Sequence, residues 1–112
     1  MIKFTVPLIP TPFNLDVWVG KDLNSVLSKA YSNYEDEGHV NFTAVYNKKG
    51  VTTVVMVLDS NSLEIIVHEI VHVLHFLHEI CGLEFEGEEW CAYFQSNLFA
   101  QITSKINKHD RD

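Results

Sequence analysis

A chain of 112 residues, 46% hydrophobic and 21% charged, has room for one domain with a modest core, here taken as residues 1–112. Fifteen acidic against eight basic residues give a net charge of −7, which excludes nucleic acid and an anionic membrane surface as partners, because no basic stripe exists to displace counterions. Two cysteines exclude a disulfide-rich scaffold, and no apolar run is long enough for a signal peptide or a membrane span, so the expected compartment is the reducing cytoplasm.

Ile2 to Ile9 reads as a strand interrupted by Pro7, and Pro10 and Pro12 keep the next stretch extended and near an edge. Leu15 to Val19 alternates and reads as a second strand, ended by Gly20. From Asp22 the period changes. Leu23, Val26, Leu27, Ala30, Tyr31 and Tyr34 share one helical face, and the acidic run Glu35-Asp36-Glu37-Gly38 is expected to close that helix. Val40 to Tyr46 and Val51 to Leu58 are β-branched and apolar, joined by Asn47-Lys48-Lys49-Gly50, which predicts a hairpin with a four-residue connection. The second arm is nearly continuous in its apolar character, so burial on both faces is expected. Asn61 with Glu64 resembles a capping box and predicts a helix that runs to Cys81 and stops at Gly82. A loop, Leu83 to Gly87, precedes a last helix from about Glu88 to Asn107, with the tail Lys108 to Asp112 frayed. The fold class is therefore α+β: a small, mostly antiparallel sheet packed on two long C-terminal helices, with one early helix.

Six histidines are many for this length, and four of them lie between positions 68 and 78. His68-Glu69-Ile70-Val71-His72 matches HExxH. At about 100° per residue His72 lies only about 40° round from His68, one turn along, so two imidazoles converge on one point. Zinc accepts two such nitrogens and needs at least one further protein ligand. Glu69 sits beside the pair, where a carboxylate can take a proton from an attacking water and return it to a leaving amine. The competing reading is a solvated stripe, because Glu64, His68, His72, His75 and Glu79 fall near one line on the helix. Against it, the stripe holds three histidines and no lysine, and Glu69 lies about 100° away among Ile65, Phe76 and Ile80, where an ionised carboxylate needs something to stabilise it.

His78 has the spacing of a third metzincin ligand, but His75 stands where that motif has its turning glycine. On a continued helix His78 is roughly 15 Å beyond His68 and cannot reach the same ion. Glu88-Glu89-Trp90-Cys91-Ala92-Tyr93 instead resembles the glutamate motif of gluzincins, seventeen positions after His72. Together these residues resemble the small HExxH zinc metallopeptidases of the thermolysin-like gluzincin type, including those encoded in bacteriophage genomes. The similarity covers about Val51 to Phe99. It implies a minimal zincin-like fold, one zinc ion per chain held by His68, His72 and Glu89, Glu69 as general base, and hydrolysis of a peptide or protein substrate in the cytoplasm, the host's if the chain is phage-encoded. Glu88 stays open as the alternative ligand, and Glu89 as a simple first-turn acid.

Oxyanion stabilisation in such sites comes from a side chain outside the motif. The four tyrosines and His39 are candidates, with Tyr93 nearest Glu89 on its helix. His75 is read as a solvent-exposed histidine or as a weak second site with Glu79. Cys81 and Cys91 are expected as reduced thiols, Cys91 in the core. Trp18, Phe85 and Trp90 are core or edge residues. A homodimer covering a sheet edge suits so small a core. The alternative function is a non-catalytic zinc-binding module on the same scaffold that binds a protein partner, such as a phage or host regulator.

Overall fold

Val51–Leu58 carries eight residues without a charge, and the fold is built around it. In the computed structural model, which describes residues 1–82 and 88–111, this strand is flanked on both sides and buried from Thr53 to Leu58. The strands are β1 (Ile2–Pro7), β2 (Asn14–Val19), β3 (Phe42–Lys48) and β4 (Val51–Leu58); the helices are α1 (Asn24–Ala30), α2 (Leu63–Cys81) and α3 (Glu88–Arg111). Sheet order is β1-β2-β4-β3. β1–β2 and β3–β4 pair antiparallel, whereas β2 and β4 run parallel, with Leu15 opposite Val54 and Val19 opposite Leu58. The fold is thus α+β with a mixed four-stranded sheet.

Period-2 alternation sends the strands' side chains to opposite faces. Leu15, Val17, Val54, Met56 and Leu58 pack on α2 and α3 through Ile66, Ile70, Val73, Leu77, Leu98, Ile102 and Ile106. On the other face Trp18, Val55 and Val57 meet Leu23, Leu27 and Tyr31 from α1 and its ends. The early helix therefore covers one side and the two long helices the other, which leaves β1 and β3 as the sheet edges.

Several boundaries differ from the sequence expectation. β3 begins at Phe42 and extends through Asn47 and Lys48, so the hairpin turn is two residues, Lys49 and Gly50, both at positive φ (51° and 85°). α1 stops at Ala30, because Tyr31 is extended and turned into the core, so the acidic run does not close the helix. Ser62, rather than Asn61, occupies the N-cap of α2, and it makes no side-chain cap bond. Gly82 ends α2 in the left-handed region as expected, at φ 67°. α3 continues to Arg111 instead of fraying after Asn107, held by buried Ile106 and by His109 stacked on Phe4 at 6.4 Å. Val67 and Val71 stand more than half exposed, so only part of the apolar face of α2 is covered. The loop Leu83 to Gly87, with Phe85, and the side chain of Glu88 lie outside the described residues. No described helix is long and apolar enough to cross a membrane.

Candidate metal centre

α2 presents its flanks to different neighbours, and the motif residues follow from that. Ile66, Ile70, Val73 and Leu77 face the sheet. One step round, His68 and His72 emerge into solvent beside the edge strand β3, with Glu69 between them and the core. The two imidazoles are one helical turn apart, their rings 5.1 Å centre to centre, and their Nε2 atoms face each other at 3.3 Å. Two nitrogens bound to a tetrahedral ion at 2.0–2.1 Å stand about 3.4 Å apart, so the spacing of the donor pair matches that of two zinc ligands.

Glu69 is buried, at 4% exposure, and its Oε1 accepts a hydrogen bond from Thr43 Oγ1 of β3 at 2.8 Å. The stabiliser that the sequence demanded for this carboxylate is thus in part a strand hydroxyl, 26 positions away in the chain. The ligand atoms of His68, Glu69 and His72 all lie within 4.8 Å of one another, the one such group among the described residues.

The three open into a cleft of about 330 Å³. One wall is the first half of β3, Phe42, Thr43 and Ala44; the other is the loop after α1, with Glu35, Asp36, Glu37 and His39. Tyr34 and Tyr46 close the floor in an edge-to-face contact at 5.5 Å. Burial holds both phenols above their usual range. The charge of Asp36 adds to this for Tyr34, and Tyr34, Glu37 and Glu35 add to it for Tyr46, so both hydroxyls remain protonated donors at neutral pH.

The other expected site residues lie elsewhere. Glu89 is exposed in the first turn of α3 and outside the His68–Glu69–His72 group. α3 approaches α2 on a different flank, where Val67, Ile70 and Val71 meet Gln95, Ser96 and Phe99 across a separate apolar groove. Tyr93 is 72% exposed on the same helix and does not line the cleft. His75 pairs with Glu79 at 3.1 Å, both side chains exposed. His78 is exposed on α2, outside the metal-type group. Cys81 is exposed, Cys91 is half-buried, and both are free thiols.

Thr43 and the acidic loop are contributions that the sequence did not reveal, since no local spacing ties positions 35–43 to position 68. No family model matches the chain, and no curated protein or solved structure is significantly similar to it.

Proposed function

We propose that the chain is a single-domain zinc-dependent metallopeptidase. The observation that carries this reading is the 3.3 Å separation of the His68 and His72 Nε2 atoms with a buried carboxylate beside them, at the mouth of a cleft along a strand edge. A resident zinc would be held by His68 and His72 and would supply Lewis-acid polarisation of a substrate carbonyl. β3 is an edge strand whose Asn47 backbone is already bonded to Ser32 and Asn33, so an extended peptide would add along its Phe42–Tyr46 part as a further strand and lie across the cleft. Glu69 takes a proton from the attacking water as its oxygen bonds to the carbonyl carbon, then delivers that proton to the amine as the C–N bond breaks. Thr43 keeps the Glu69 carboxylate oriented for both transfers. Tyr46 is the cleft phenol that could serve a developing oxyanion, since the Tyr34 hydroxyl already donates to Asn24 Oδ1. Two free thiols suit a reducing compartment such as the cytoplasm.

A second reading, a non-catalytic zinc module that binds a protein partner, is favoured by one fact: a Glu69 oxygen lies within 4.8 Å of both imidazoles and could itself complete the coordination. Glu69→Gln separates the two. Elemental analysis of the untagged protein, with peptide hydrolysis followed in parallel, should show one zinc per chain retained and a rate loss of about 10²–10⁴-fold. Loss of zinc together with activity would assign Glu69 as a ligand. Wild-type protein that takes up no zinc would end both readings.

A further inference from the structure

We propose that His39, oriented by Glu37, is the third protein ligand of the ion held by His68 and His72. This rests on the metallopeptidase reading above.

A catalytic zinc site needs three protein ligands, and α2 supplies two. Glu69 is committed to Thr43 and to proton transfer. Among the described residues, the remaining imidazole and carboxylate groups lining the cleft are Glu35, Asp36, Glu37 and His39. Asp36 is already engaged: its Oδ1 accepts from the Gly38 N–H at 2.9 Å and its Oδ2 from Asn24 Nδ2 at 3.0 Å. Those bonds shape the loop. Gly38 sits at φ 79°, a turn that an L side chain rarely adopts, and it brings His39 to the cleft wall directly after the bend.

His39 Nε2 stands 3.9 Å from Glu37 Oε2. Closed to hydrogen-bond distance, that carboxylate would accept the Nε2 proton and leave Nδ1 as the lone-pair donor, the arrangement by which a carboxylate orients a metal-binding imidazole. Imidazole also matches the borderline softness of zinc, and a third nitrogen completes a His₃ set with a position open for water. His39 lies outside the 4.8 Å group, and its side chain is 64% exposed. Coordination by His39 therefore requires the 35–39 loop to move inward. Glu89 lies on the helix packed along the Val67–Val71 flank of α2 and does not line the cleft.

The test uses the full chain and cobalt(II) as a spectroscopic probe, with zinc affinity measured by competition against a chromophoric chelator. His39→Ala should weaken zinc binding by more than about 100-fold and change the cobalt visible bands, since a directly bound ligand outweighs the 10–100-fold typical of an orienting partner. Glu37→Gln should weaken binding by roughly 10-fold while preserving the bands. Glu89→Ala should leave both readouts as in the wild type. His39 is exposed, so its alanine variant folds, which a thermal melt of the metal-free protein checks. The proposal is overturned if His39→Ala binds zinc with wild-type affinity and unchanged bands, or if Glu89→Ala produces the loss instead. Either result leaves the metallopeptidase reading standing. A wild-type chain that binds neither metal overturns both.

Discussion

Among the described residues two carboxylates are buried, and their surroundings differ. Asp16 is 1% exposed and takes donors on both oxygens: Thr5 Oγ1 at 2.7 Å on Oδ1, and Tyr31 Oη at 2.6 Å on Oδ2, with Lys48 Nζ at 3.4 Å. Trp18 Nε1 donates to the same Tyr31 oxygen at 2.8 Å, which fixes the network between α1 and the sheet. Burial pushes the Asp16 carboxyl upward. The two hydroxyls, with Lys3 and Lys48, outweigh that and hold it below its ordinary 3.8. A depressed native pKa means that ionised Asp16 stabilises the fold above the unfolded value, and this contribution is lost as pH falls below about 4. Asp16→Asn should therefore cost about 1–3 kcal/mol at pH 7. Urea titrations at pH 7 and pH 3 should show that deficit shrinking on the acid side, as the wild type protonates too. A gap of equal size at both pH values would mean that the native carboxylate is not the stabilising form. Glu69, by contrast, has Thr43 on Oε1 and lines an open cleft, as the proposed general base requires.

At the level of elements, the β3–β4 hairpin sets the wall of the candidate site. Lys48 pairs with Val51, so only Lys49 and Gly50 form the turn. Both lie at positive φ, the combination that matches the twist of a two-residue hairpin. Gly50→Ala meets no neighbour within 4 Å, yet places a Cβ in the left-handed region, so a loss of about 1 kcal/mol is expected by thermal or urea unfolding. An unchanged midpoint would show that the turn relaxes freely.

The same hairpin shows what sequence pattern conveys and what it does not. β4 was legible to the residue, because an uncharged run of β-branched residues has no alternative to burial. The end of β3 was not, because Asn47 and Lys48 are polar and continue the ladder on the exposed side of an edge strand. α1 was expected to be longer because Tyr31 and Tyr34 keep the helical period. The bond from Tyr31 to Asp16, fifteen positions back, is a tertiary demand that overrides it. For the site, the convergence of His68 and His72 follows from helix geometry alone and was readable. The opposing wall was not, since it is brought in by a hairpin and a loop with no spacing rule relative to the motif. The flank on which α3 lands is likewise a packing outcome, and it leaves Glu89 outside the lining of the cleft.

Across the whole molecule, the net charge of −7 is concentrated usefully. The cleft is lined by Glu35, Asp36, Glu37 and Glu69 and by no lysine or arginine, and two tyrosine rings stand among them. A dication and a cationic side chain both gain from that field, and an acidic substrate is repelled by it. On the proposed peptidase function, two peptides that differ only by Lys against Glu beside the cleaved bond should separate in KM, with the lysine peptide favoured a few-fold, as exposed charge contacts of roughly 0.2–1 kcal/mol predict. Because most of these acids are exposed, the preference should narrow as salt shortens the screening length from about 10 Å at 0.1 M toward 3 Å at 1 M. Replacing Glu35 with Gln, which removes a charge without touching His39 or Glu37, should reduce the discrimination while kcat for the lysine peptide is retained. Equal KM values for the two peptides at low salt would show that substrates do not enter along the acidic wall, and would redirect attention to the opposite end of β3.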